Sequence, residues 1–268
     1  MINITAVMCV AGDSMFFKFA SYSIPSFLRN NISTDLHVFT DSPERIEQYQ
    51  GLSGRLAIYD IRKYFDEHKE LVEKFKSKGR SEEILRSRIE RYGFEFKEIF
   101  PVIMPLMADD MLKGKGYSHI LKVDSDSYFA GGDMMAMVKT DISNHPNADV
   151  FLVARKHALM EQYGGGVPGS GFTLWRVGGQ FTRKYAQNFT GSQQVTILNM
   201  RFGSGVFVRI LPRPGYHFVR PFWKAKSVGS EFTKETASQF LPAYFHLHGQ
   251  IALEAMEKLE GWFGEKSK

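Results

Sequence analysis

Asp124 and Asp126 stand one residue apart at the end of the apolar run HILKV, within the stretch SHILKVDSDSYFAGG. In an extended segment, alternate residues project to the same side, and two carboxylates so placed repel each other unless a cation sits between them. Hard oxygen donors suit Mg²⁺ or Mn²⁺, which usually keep water and phosphate oxygens as further ligands. The competing reading is an acidic turn that caps a helix. A chain of this length carries roughly one Asp-x-Asp by chance, so position has to choose between the two. This is the chain's only Asp-x-Asp, it directly follows a strand-like run in mid-chain, small Ser125 separates the acids, and Tyr128 and Phe129 follow. In open α/β sheets, ligands gather beyond the carboxyl ends of the strands.

Other residues are candidates for chemistry, each beside a plainer reading. Asp13 and Asp41 follow the first two expected strands; they suit hydrogen bonds to a base or ribose, or the capping of a helix or turn. YGGGVPGSG, residues 163–171, lacks the Lys-Ser/Thr of a phosphate-cradling loop. It is either a flexible surface loop or a place where backbone comes close to a ligand. Trp175 and Trp223 suit stacking on an acceptor or packing in the core, and RPFWKAK, residues 220–226, is the better acceptor candidate by its basic-aromatic mix. Glu161, Glu231 and Glu235 are candidate bases. Cys9 lies inside an apolar run and reads as a small core residue.

These groups must be positioned by strands alternating with helices. Residues 2–11 (INITAVMCVA), 36–39, 55–61 and 119–123 read as strands, and ADVFLVAR and FTLWRV as two more. Residues 15–31 read as a helix that Pro25 kinks or ends. Residues 62–113 turn charged and helical in period, broken at Gly79 and Gly93. Within them, Phe96, Ile99, Phe100, Ile103, Leu106, Met107 and Met111 form an apolar stripe, the regular helix starting near Pro101 or Pro105. GQFTRKYAQNF and residues 251–263 read as helices, and GVFVRILPRPGYHF should hold a short strand. The alternation predicts an α/β domain with a largely parallel sheet, and no linker divides the chain.

The 268 residues are 43% hydrophobic and 24% charged, ordinary globular composition, and the 23 Phe and 11 Tyr read first as core. A net charge of +5 suits anionic ligands such as nucleotides or nucleic acid. With a single cysteine, no apolar span of membrane length and no signal-peptide pattern, the expectation is a soluble cytoplasmic protein.

ILKVDSDSYF, preceded by a strand–helix N-terminal half, resembles the metal-binding motif of GT-A fold, nucleotide-sugar-dependent glycosyltransferases. Among these it is most similar to the glycogenin/galactosyltransferase group, glycosyltransferase family 8, and its relatives. Four further pieces follow in that group's order. ITAVMCVAGDSMFF resembles the strand and turn that hold the nucleoside, and GSGFTLWRV the "NSG" strand lining the sugar site. QVTILNMRFG resembles the "DQDxLN" helix, and YFHLHGQ the C-terminal "HxxG" with its metal-binding histidine.

The resemblance implies a GT-A fold, Rossmann-like, with a mixed, mostly parallel central sheet flanked by helices. It implies one catalytic domain over residues 1–268, with a nucleotide-binding half, 1–130, and an acceptor half, 131–268. Asp124, Asp126 and His246 would hold the metal, with His248 the competing histidine. Mn²⁺ accepts an imidazole beside two carboxylates more naturally than Mg²⁺ does. Val10, Ala11, Asp13, Asp41, Ser125, Ser170 and Gly171 would line the donor site. The implied donor is a UDP-hexose, and the acceptor stays open among saccharide, lipid, protein and nucleic acid. The chain departs from the group where Gln194 to Asn199 lack both acids of "DQD" and HLHGQIAL lacks the phosphate-binding lysine. Lys97, Lys122, Lys224 and Lys226 are candidates to replace that cation, each also readable as a surface lysine. Gln194 is the candidate polar group beside the anomeric carbon. Two alternatives remain: a nucleotidyltransferase acting on sugar phosphates, and a sugar-nucleotide-binding module without activity.

Overall fold

A computed structural model describes residues 1–12, 14–71, 73, 96–155, 167–189, 196–197, 199–200, 205–211, 232–239, 241, 243–247 and 251–264. Among the described residues the strands are β1 (Ile4–Val10), β2 (Leu36–Thr40), β3 (Leu56–Asp60), β4 (His119–Asp124), β5 (Ser127–Ala130), β6 (Val150–Arg155), β7 (Val167–Arg176), β8 (Val208–Leu211) and β9 (Ala243–His246). The helices are α1 (Ser14–Asn30), α2 (Ile61–Glu67), α3 (Phe96–Leu112), α4 (Met135–Asn144), α5 (Gln180–Asn188), α6 (Lys234–Ser238) and α7 (Ala252–Phe263).

Seven strands form one sheet in the order β3-β2-β1-β4-β7-β6-β8. The β3-β2-β1-β4 half is parallel throughout, and only β7 runs against its two neighbours. Both faces are covered, which is why β1, β2 and β4 read as near-continuous apolar runs. On one face Ile4, Ala6, Met8 and Val10 pack with Ala20, Ile24 and Phe27 of α1 and Val138 of α4. On the other, Val7, Ile120 and Trp175 pack with Ile103, Met104 and Met107 of α3 and Phe181 of α5. A separate two-stranded ribbon pairs β5 with β9, and it packs with α7 through Tyr128, Phe245, Ala255 and Met256.

Three local expectations are corrected. α1 runs through Pro25 rather than ending there; a proline removes one backbone donor, and the buried residues on both sides of it hold the helix. α3 starts at Phe96, so Pro101 and Pro105 fall inside it. β7 starts at Val167, so the last five residues of the glycine-rich stretch are strand rather than loop. They are recruited by β6, whose register jumps from Leu152 opposite Thr173 to Val153 opposite Gly169, a bulge centred on Ser170, Gly171 and Phe172. The C-terminal carbonyls of α1 and its following turn are met by Arg55, whose guanidinium donates to Leu28, Asn31 and Thr34.

Two buried histidines set an acid limit on this fold. His37 lies between the hydroxyls of Tyr59 and Tyr117, at 3.1 and 3.2 Å. Burial, then the Lys115 ammonium, pushes it down to about 4. Burial, then Arg176, pushes His119 down to about 4 as well. Each folded-state value lies below the unfolded one, so the unfolded chain binds more protons between the two. The stability contributed is full above about pH 6.5 and is lost as pH falls toward 4, on the order of 3 kcal/mol for each residue. Denaturant midpoints measured from pH 7.5 to 4.5 should fall steeply below 6.5, and His37→Gln should flatten that fall; an unchanged slope in the variant would remove His37 as its source.

Candidate functional site

β4 delivers Asp124 to the carboxyl edge of the parallel half-sheet, where Cys9 of β1 lies opposite it in register. The chain turns through Ser125 and Asp126 into β5. There β9 pairs with it antiparallel, setting His246 directly opposite Ser127, and the Leu247 amide donates to the Asp126 carbonyl at 2.8 Å. The ribbon thereby carries an imidazole from the far end of the chain onto the two acids. His246 Nε2 stands 3.2 Å from Asp124 Oδ2 and 3.1 Å from Asp126 Oδ1. One ligand atom from each residue falls within 4.8 Å of the others, a group able to hold a metal ion. The His246 side chain is 2% exposed, Asp124 26% and Asp126 18%, so the cluster opens to solvent on the acids' side.

The donor set fits a divalent cation of the Mg²⁺ or Mn²⁺ type: two hard carboxylate oxygens, one imidazole nitrogen, and an open side for further oxygen ligands. Burial disfavours charge on Asp124, but the Lys122 ammonium and His246 outweigh it and hold the carboxyl well below the usual range. Burial likewise works against a charged His246, and Asp126 with Asp124 overcomes it, raising the imidazole to about 9. The two carboxylates thus favour positive charge at the position between them, where a cation would sit.

Lys122 is the largest surprise in the cluster. As a candidate phosphate contact or surface lysine it should reach solvent; instead it is 2% exposed, its Nζ 2.6 Å from Asp124 Oδ1. It occupies the same face of β4 as Ile120 and Asp124, since alternate strand residues share a face.

Two more residues shape the site: Gly171, which the resemblance sets beside the donor, and Tyr244, which no motif singles out. A Cβ built on Gly171 would lie 2.1 Å from His246 Cε1 and 2.2 Å from Nδ1, so only glycine leaves room for the ring. A glycine inside a strand marks such close approaches. Tyr244, two residues before His246 and fully buried, ties the site's walls together. Its hydroxyl donates to the Gly171 carbonyl at 2.6 Å and accepts from Ser127 Oγ at 2.8 Å and from the Asp124 amide at 3.4 Å.

The remaining candidates divide. Val10 and Ala11 are buried at the end of β1, and Ser125 is buried between the acids. Asp41 accepts from the Gly12 amide through Oδ2 at 3.0 Å, holding the turn after β1 where Gly12 takes a φ of 84°; this is the turn-capping reading. Cys9 is no nucleophile, because burial pushes its thiol well up. Trp175 is fully buried against Phe181 and belongs to the core, not to an acceptor surface. Glu235 lies in the first turn of α6, its carboxylate held down by its own backbone amide and the Thr233 hydroxyl, as a cap. Asp13, Glu161, Gln194, Trp223, Lys224, Lys226, Glu231 and His248 lie outside the described residues, as do the side chains of Lys97 and Ser170.

No protein-family model matches the chain, and no curated protein sequence matches it. Among solved structures, mouse xyloside xylosyltransferase 1 in its apo form is similar, with a TM-score of 0.58 at 10% identity, over 91% of this chain and 97% of that one. At that identity the likeness is one of fold. It is the α/β, mostly parallel architecture flanked by helices of the GT-A type, and it does not select family 8 within that type. Among the described residues no helix is long and apolar enough to cross a membrane.

Proposed function

We propose that this chain is a metal-dependent glycosyltransferase that moves a sugar from a nucleotide sugar to an acceptor hydroxyl, with a UDP-hexose as the donor. One observation carries the reading: Asp124, Asp126 and His246 converge at the carboxyl edge of a sheet of glycosyltransferase type. Fold alone does not assign chemistry; the cluster's place on that fold is what supports this reading.

Asp124, Asp126 and His246 would hold the cation, which supplies positive charge to a diphosphate leaving group as the anomeric C–O bond breaks. The protein's own part is to present these three donors in a buried, fixed arrangement. The turn at Ala11 and Gly12, pinned by Asp41, shapes the neighbouring edge where the nucleoside would lie. Ser125 and Gly171, beside the ligand set, would line the sugar's place, and Lys97 and Gln194 would be the phosphate and anomeric-carbon contacts. A saccharide acceptor fits this reading best; the basic net charge is the sole support for nucleic acid.

The test is donor cleavage. The protein is incubated with UDP-hexoses and with UDP-xylose, after chelator treatment and after Mn²⁺ addition, and UDP is read by chromatography. Release of UDP that requires Mn²⁺ is expected. Release of UMP instead points to nucleotidyl transfer, and UDP binding without release from any donor points to a binding module; either overturns the proposal.

A further inference from the structure

We propose that Lys122 is a positioning residue of this centre: it commits Asp124 to ligation through one oxygen and makes retention of the cation depend on a bound nucleoside diphosphate. The proposal rests on the metal-dependent reading and deepens it.

Lys122 Nζ sits 2.6 Å from Asp124 Oδ1, while Oδ2 of the same carboxylate faces His246 Nε2 at 3.2 Å. The two oxygens therefore have separate tasks. A cation among the three donors would meet Oδ2, since Oδ1 is engaged by the ammonium. The position itself asks for an apolar residue: Lys122 lies opposite Val7 of β1 and Thr173 of β7, two residues from Ile120, in the middle of the sheet. Well-packed hydrophobic residues in place of a buried ion pair are often neutral or stabilising, so stability does not explain a lysine here.

Its charge has a direct effect on the site. Asp124 and Asp126 offer two negative charges to a dication, and the buried ammonium cancels one of them. It also repels the incoming ion across a region where water screens little. A lone cation is therefore held weakly. A nucleoside diphosphate supplies the missing negative charge and the missing oxygen ligands together, so ion and nucleotide are retained as a pair. The protein then releases the ion when the diphosphate leaves instead of keeping it permanently.

Mn²⁺ binding by the full chain, read from the electron paramagnetic resonance signal of the free aqueous ion at one fixed pH, tests this with and without UDP. The wild type should bind Mn²⁺ alone weakly and at least tenfold more tightly with UDP. Lys122→Met should bind Mn²⁺ alone at least tenfold more tightly than the wild type and lose most of the gain from UDP. Lys122→Arg, which keeps the charge, should behave as the wild type. Lys122→Gln, neutral but still a donor to Oδ1, carries the same expectation as the methionine variant if that one fails to fold. Equal or weaker binding of Mn²⁺ alone by the folded neutral variants overturns the proposal, since Lys122 would then merely keep Asp124 ionised. A wild type that binds Mn²⁺ equally with and without UDP overturns the coupling. A wild type that binds no Mn²⁺ under either condition fails the metal reading itself.

Discussion

Gly171→Ala is expected to weaken Mn²⁺ binding in the presence of UDP by roughly 10–100-fold, the loss that follows when what positions a metal ligand is disturbed. The methyl group would stand 2.1 Å from the His246 ring, far inside contact distance. Neither side yields easily. The ring is buried, and its strand is held by the register with β5. The Gly171 backbone is held by the Tyr244 hydroxyl. Overpacking of this kind costs about 1–3 kcal/mol of stability, so the variant should still fold while its imidazole leaves the carboxylates. Gly54→Ala, where a Cβ meets open space, is the control and should change neither quantity. Titration with Mn²⁺ and a thermal melt of both variants decide the matter; wild-type Mn²⁺ affinity in Gly171→Ala would show that His246 does not need its present place.

The two acids should separate when removed singly. Asp126→Ala and Asp124→Ala should each lower Mn²⁺-dependent UDP release by at least about 10²-fold, the upper end for losing a metal-site contact. Asp124→Ala should destabilise the fold more, by about 3–5 kcal/mol, because it takes a carboxylate from both the buried Lys122 ammonium and the buried His246 ring. Asp126→Ala, which takes one of two carboxylates from the buried His246 ring, should cost less, because Asp124 still faces that ring. Denaturant midpoints beside release rates check both halves. Release that survives either substitution removes the metal assignment, and equal destabilisation by both removes the special weight of the Lys122–Asp124 pair.

Much of this was legible in the residues. β1, β2 and β4 announce themselves because a strand covered on both faces is apolar at every position, and Asp124 with Asp126 is conspicuous where such a run stops. His246 was legible only through the order of motifs along the chain, since nothing local in AYFHLHGQ says that it faces Ser127. The contacts of Lys122, Gly171 and Tyr244 could not be read, although the resemblance set Gly171 in a strand at the donor site, because each depends on what lies across a strand boundary. A lysine in an apolar run looks like a surface lysine until its carboxylate is located. Composition alone reads a glycine in a glycine-rich stretch as loop, and only the order of motifs along the chain made it strand. Composition argued for flexibility at residues 167–171, and the neighbouring strands overrode it.

The β5–β9 ribbon also governs when the site can exist. It joins segments that lie more than a hundred residues apart, as the 120-residue separation of Asp124 and Tyr244 shows, through strands of four residues each. Closing so long a loop is entropically costly, and contacts of this range form late. On a ribosome, β1 to β4 and both acids emerge well before the strand that bears the imidazole. α7 follows later still, with Glu260 bonding Arg29 at 2.6 Å and Tyr128 at 2.7 Å. A chain that has not yet docked β9 thus carries the two acids without the imidazole that faces them.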